Sequence, residues 1–173
     1  MLNPAGLSIG SESFRQRADR SRNAIAPILS ADDVLLDLRA PTKDGALAAI
    51  SRFVASRHPL TKEEVYANLV EREDIGSTAL GQGFAIPHAR VPGLSRPIAA
   101  FARMEIPIAF DAPDGKPVSD LLVILVPEHA TEAHLLILAE AASMFCDASF
   151  RERLRACIDT AAIHSAFAQW RPS

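Results

Sequence analysis

Cysteine is nearly missing from this 173-residue chain: Cys146 and Cys157 are its only two. Two cysteines make no disulfide framework, and their separation matches no metal-ligand spacing. Both lie in apolar, helix-like stretches and read as plain buried or half-buried thiols. Long hydrophobic runs are missing too. None approaches the roughly 20 residues that span a bilayer, and the longest, 121–127, fits a buried strand. No membrane contact is expected, and without a secretory apolar segment at the N-terminus the expected location is cytoplasmic. Positive charge is not in excess, since 18 Lys and Arg face 21 Asp and Glu for a net charge of −3. A nucleic-acid partner is therefore not expected.

Several site motifs fail as well. Gly81-Gln82-Gly83-Phe84-Ala85-Ile86 lacks the third glycine of a dinucleotide fingerprint, and Pro87 blocks the helix that should follow. Pro117 replaces the hydroxyl residue of a P-loop after Gly115-Lys116. The segment from Glu128 to His134 is no H-E-x-x-H zinc site, and no G-x-S-x-G elbow occurs. No cofactor and no metal are expected.

What remains is an ordinary globular balance, with 49% hydrophobic and 23% charged residues. The length fits one domain. Residues 1–25 read as a flexible N-terminal extension, polar and rich in Arg and Ser, and 26–173 as the domain. Val34-Leu35-Leu36-Asp37-Leu38 is a predicted strand. Thr42 caps a predicted helix carrying Leu47, Ile50, Phe53 and Val54. Thr61 with Glu64 is a capping box for a helix on which Val65 and Leu69 share a face and which ends near Arg72. Residues 98–104 read as a strand. Residues 106–110 and 117–126 read as a strand pair about the turn Pro113-Asp114-Gly115, with 121–125 buried on both faces. Three helices follow: one capped by Thr131 and carrying Leu135, Leu138, Ala139 and Ala142, one with a Ser149–Glu152 capping box, and one from Thr160 with Ile163, Phe167 and Trp170 on one side. The expected fold class is α/β: a three-layer sandwich, with a mixed β-sheet flanked by helices on both faces.

The densest chemistry lies in residues 76–90, GSTALGQGFAIPHAR. An apolar run bounded by glycines and stopped by Pro87 reads as a strand leading into a loop, which presents His88 at the strand end. A neutral imidazole is a nucleophile near pH 7. Arg72, at the end of its helix, brings a guanidinium that grips phosphate oxygens bidentately; its alternative is a surface ion pair with Glu71 or Asp74.

This stretch resembles the phosphorylation loop of the enzyme IIA domains of the bacterial phosphoenolpyruvate-dependent phosphotransferase system. Within them it is most similar to the mannitol/fructose class and its nitrogen-regulatory branch. Arg72, Glu73, Gly76, Ser77, Thr78, Gly81, Gly83, Ala85, Ile86, Pro87, His88, Ala89 and Arg90 match that pattern in register. The likeness continues over roughly residues 26–170. It implies the same sandwich fold, with His88 as the residue that carries phosphate. It places a second active-site histidine, His134, at the start of the helix capped by Thr131, where an imidazole and the helix N-terminus both favour an anion. The other reading of His134 is a surface histidine. Ser77 and Thr78 offer hydroxyls and N–H groups either to phosphate or to the local turn. Arg90 is a second candidate cation or points to solvent.

The resemblance implies a phosphohistidine-carrying regulator of the nitrogen-type system. It would accept phosphate from a histidine phosphocarrier protein and act on protein targets according to its phosphorylation state. The alternative is the IIA component of a fructose- or mannitol-type uptake system, passing phosphate to a separate IIB.

Overall fold

Side chains of a strand point alternately to its two sides, and the central strand of this fold uses both sides for core. In a computed structural model that describes residues 23–129 and 131–172, the elements run in the following order. They are β1 (Leu29–Leu38), α1 (Lys43–Arg57), α2 (Lys62–Ile75), β2 (Ala79–Gly81), β3 (Phe84–Ala85), β4 (His88–Val91), β5 (Ile98–Ile108), β6 (Val118–Pro127), α3 (Glu132–Cys146), α4 (Ala148–Ala156) and α5 (Thr160–Gln169). The sheet order is β1-β5-β6-β3-β2, and β4 also pairs with β6. β1 with β5, and β3 and β4 with β6, are parallel; β5–β6 and β2–β3 are antiparallel.

Leu121, Val123 and Leu125 of β6 pack with Leu47, Ile50 and Val54 of α1 and Val65 and Leu69 of α2. Leu122, Ile124 and Val126 face the other way, onto Ile137 and Phe145 of α3, Phe150 of α4 and Phe167 of α5. The result is the expected three-layer α/β sandwich. Its second layer is aromatic: Phe84 stacks on Phe145 at 4.7 Å and Phe150 meets Phe167 edge-on at 5.2 Å. Truncating one such ring to Ala costs about 3–5 kcal/mol.

The caps of the first two helices are as read from sequence. Thr42 accepts the Gly45 N–H and Thr61 accepts the Glu64 N–H. Elsewhere the chain departs from expectation. Residues 98–108 form one strand with an irregular register after Arg103, not two. Asp147, not Ser149, caps α4, accepting N–H groups of Ser149 and Phe150. The buried side of α3 is Ile137, Ala141, Met144 and Phe145, while Leu135 is 66% exposed. Cys146 is exposed, whereas Cys157 is half-buried. The extension ends sooner than residue 25: Asn23 and Ile25 are buried, and the Asn23 amide donates to the carbonyls of Phe167 (2.8 Å) and Trp170 (3.1 Å). The rest of the expected extension, 1–22, lies outside the described residues.

The β2–β3 hairpin aims the next segment. Gly81, Gln82 and Gly83 all have positive φ (87°, 56° and 86°), a left-handed turn that glycine adopts without strain. A Cβ on Gly81 would also meet Asp114 Oδ2 at 3.1 Å, the oxygen that accepts the Gln82 N–H.

Candidate functional site

After Pro87 the chain does not enter a loop, as the sequence suggested. β3 and β4 both run parallel beside β6, and the Pro87 carbonyl accepts the Ile124 N–H at 3.0 Å. His88 is therefore the first residue of a strand held along its length. Ala89 and Val91 point into the α1–α2 layer, so His88 and Arg90 take the opposite side by alternation.

Two bonds fix the state of the His88 ring. Nδ1 lies 2.8 Å from the Ile86 carbonyl oxygen, and Arg72 Nε lies 3.1 Å from Nε2. A carbonyl oxygen only accepts, so Nδ1 carries the proton. The Arg72 N–H donates into the Nε2 lone pair. Burial pulls the His88 pKa below its ordinary value of 6.5. The Ile86 bond opposes that, the Arg72 charge adds to it, and the Glu73 charge opposes it. The ring is thus a neutral imidazole at pH 7 with its free electron pair on Nε2.

Arg72 lies in the last turn of α2, where Nη1 also donates to the Gly76 carbonyl at 3.0 Å. Neither Glu71 nor Asp74 forms the surface ion pair offered as its alternative; Arg72 turns to His88 instead. On the far side, His134 sits in the first turn of α3. Its Nδ1 accepts the Thr131 N–H at 3.0 Å, which leaves the ring proton on Nε2. Arg72, His88, Arg90 and His134 line one open cleft of about 350 Å³, whose apolar wall includes Ile75, Leu135 and Leu138. Arg90 is exposed there.

Ser77 and Thr78 border the site, but their hydroxyls are engaged elsewhere. Ser77 Oγ donates to the Phe110 carbonyl (2.6 Å) and Thr78 Oγ1 to Glu73 Oε2 (2.6 Å). The Thr78 N–H is also taken by Glu73. Sequence reasoning assigned no role to Glu73, although it sits beside Arg72 in the quoted pattern. Nor did it foresee the Ile86 carbonyl, a backbone group that no side-chain pattern reports.

A cleft that gathers two arginines, two imidazoles and a helix N-terminus around a neutral, desolvated ring nitrogen can bind an anion and attack it. The comparisons with known proteins agree in kind. Residues 27–170 match the family model described as phosphoenolpyruvate-dependent sugar phosphotransferase system, EIIA 2. A nitrogen regulatory protein of Pseudomonas aeruginosa is 41% identical over 138 residues, covering 79% of this chain and 90% of that one. A PTS system fructose-specific EIIA component of Haloferax volcanii is 36% identical over 123 residues, 69% of this chain and 80% of that one. Among solved structures, the nitrogen regulatory protein IIA-Ntr of Neisseria meningitidis superposes with a TM-score of 0.78 at 37% identity, covering 83% and 98% of the two chains. The mannitol IIA of Escherichia coli, at 19% identity and a TM-score of 0.66, shares the fold. The chain belongs to the EIIA 2 family of the phosphotransferase system.

Proposed function

We propose that this protein is a regulatory IIA of the nitrogen type, carrying phosphate on His88 Nε2 and acting on protein targets according to its phosphorylation state. The observation that carries the reading is the His88 ring itself. Its proton is held away by the Ile86 carbonyl, and its electron pair faces a guanidinium in an anion-friendly cleft.

The donor is a histidine phosphocarrier protein. Its phosphoryl group approaches in line with the Nε2 lone pair. The new N–P bond forms on His88 as the N–P bond of the donor's histidine breaks, and that bond's electron pair returns to the donor ring. The proton stays on His88 Nδ1, hydrogen-bonded to the Ile86 carbonyl. Charge in such a loose transition state spreads over three equatorial oxygens. Arg72 must release Nε2 as the phosphorus arrives, and its fork then takes the oxygens. The Gly76 carbonyl keeps the guanidinium aimed meanwhile. His134 Nε2–H and the N-terminus of α3 supply further donors. Arg90 adds positive field from the exposed side. Ser77 and Thr78 serve through the turn they stabilise.

A doubly charged phosphate on this face changes which proteins it attracts. The alternative, phosphate delivery to a separate IIB in sugar uptake, is favoured by the fructose-specific relative. The relative at 41% identity carries the regulatory name. No single described helix is long and apolar enough to cross a membrane, and a cytoplasmic location goes with the proposed donor. Incubation with the upstream phosphotransferase proteins and phosphoenolpyruvate should add one acid-labile phosphoryl group, read by mass. An unmodified protein would overturn the reading. Retained phosphorylation in His88→Ala would overturn the choice of nucleophile. Transfer onward to purified IIB would favour the uptake reading.

A further inference from the structure

Glu73 is a carboxylate only 5% exposed, one residue from Arg72, and no step of the phosphoryl transfer uses it. Burying a charged group is costly unless it is paired and hydrogen-bonded. Here the shortest contacts serve one turn. Oε2 accepts the Thr78 hydroxyl at 2.6 Å, and both oxygens accept the Thr78 N–H at 3.2 Å. Lys43 stands 3.4 Å from Oε1 and binds Asp111 Oδ2 at 2.6 Å, one cation shared by two carboxylates. From Thr78 the connection continues through backbone. The Thr78 carbonyl accepts the Ile86 N–H at 3.0 Å, and the Ile86 carbonyl accepts His88 Nδ1–H at 2.8 Å.

We infer that Glu73 is a positioning residue for the phosphoryl transfer, holding Thr78 and through it Ile86, so that the His88 proton stays on Nδ1 and the lone pair on Nε2. The inference rests on the reading of His88 as the phosphorylated residue. Its logic is chemical. An imidazole that loses its Nδ1 acceptor can move its proton to Nε2, the atom that must attack. A chain of two neutral backbone bonds is a soft support. A charge-assisted bond to a buried carboxylate is roughly twice as strong as a neutral one and makes the first link stiff. The same carboxylate is near enough to His88 to act on its charge, alongside Arg72 of the same helix turn; Arg90 and His134 face the ring's cleft from β4 and α3.

A merely structural Glu73 would brace the turn and change melting temperature alone. The discriminating readout is the nitrogen NMR spectrum of His88 in the unphosphorylated full chain, at a pH where the ring is neutral. It needs no phosphate donor. Wild type should show one tautomer, protonated on Nδ1. Glu73→Gln keeps the shape but offers one acceptor oxygen and an amide N–H₂ that conflicts with the Thr78 donors. It should show mixed tautomers and accept phosphate about 10- to 100-fold more slowly, the size of a misplaced reacting group. Thr78→Val, which removes only the hydroxyl link, should shift in the same direction by less, and Thr78→Ser should recover most of that loss. Should Glu73→Gln fail to fold, the Thr78 pair decides. A folded Glu73→Gln with an unchanged tautomer and wild-type transfer rate overturns the inference; so does a Thr78→Val protein that matches wild type in both. If wild type accepts no phosphate at all, the functional reading fails whatever the spectra show.

Discussion

Two helix ends meet at the cleft, and they are held by different means. The last turn of α2 is tied down on every side: Arg72 to His88 and Gly76, Glu73 to Thr78 and Lys43, with Val65 and Leu69 in the core below. The first turn of α3 is held at its cap, by a capping box between Thr131 and His134. Leu135 and Leu136 there are 66% and 68% exposed, and burial starts only at Ile137. Local stability follows buried contacts and protected hydrogen bonds. The α2 side is thus the preorganised part of the site, and the α3 side is the part that can adjust when another protein arrives. Geometry that must be right before the phosphorus arrives is kept on the stiff side.

The sharpest way to break this comparison is to remove groups in turn and measure phosphoryl acceptance at fixed donor concentration. His88→Ala should abolish it. Arg72→Ala should come next, at about 10²–10³-fold slower, the cost of removing one preorganised donor to developing charge. Arg72→Lys should recover little, because an ammonium cannot form the fork that reaches both the phosphate and Gly76. His134→Ala, on the adjustable side, should lose about 10- to 100-fold, the worth of a hydrogen bond to a charged group. If His134→Ala is the more severe of the two, the stiff side has been misidentified. Arg90→Ala, exposed on β4, should be milder than either.

The pH profile sharpens the same contrast, because the nucleophile His88 is held from the stiff side. Burial, helped by Arg72, lowers the His88 pKa below 6.5 despite the bond to Ile86 and the charge of Glu73. A lowered histidine pKa means the neutral nucleophile persists through pH 7 and is lost only as pH falls through the shifted value. Acceptance measured against pH should be flat from neutral pH down to a midpoint below 6.5. In Arg72→Ala the opposing charge is gone, so the midpoint should move up. A wild-type midpoint above 6.5 would contradict the burial of the ring.

Much of the α2 side was legible in the sequence, because its signals are local. Thr42, Thr61 and Glu64 act within one turn of their own helices, and the glycines around Gln82 act on their own backbone. The pattern ending at His88 put Arg72 and His88 together before any contact was known. The α3 side was not legible for a physical reason. Residues 135–142 are apolar nearly all round, so the period cannot say which stripe faces the core. Leu135, Leu138, Ala139 and Ala142 recur at helical spacing, yet the structure buries Ile137 and Ala141 and leaves Leu135 exposed. Glu73 was missed because a Glu on a helix is ordinarily solvated. Only the path of residues 76–78 folding back over it makes it a buried acceptor. The continuous run of β5 was hidden because Glu105 separates the stretches 98–104 and 106–110, and the irregular register after Arg103 joins them.

The smallest expected effect comes from the chain ahead of the domain, and it also tests how α3 is supported. Residues 1–22 are polar, lack a sustained apolar stripe, and precede the family match that begins at residue 27. Removing them should leave both melting temperature and phosphoryl acceptance unchanged. Residues 23–25 differ. Ile25 is fully buried, Asn23 binds the end of α5, and the Ala24 N–H donates to Glu140 of α3. Deleting through residue 25 removes burial worth about 1.5–3 kcal/mol for the isoleucine alone. At about 2–4 °C per kcal/mol for a domain of this size, melting should fall by roughly 3–12 °C. Helix α3, which carries His134 in its first turn, loses a tether farther along at Glu140, while Arg72 and His88 lose nothing. The longer deletion should therefore slow transfer only as far as His134→Ala does, and combining the two should add little further loss in rate. A fall as deep as that of Arg72→Ala would show that the two helix ends are one mechanical unit.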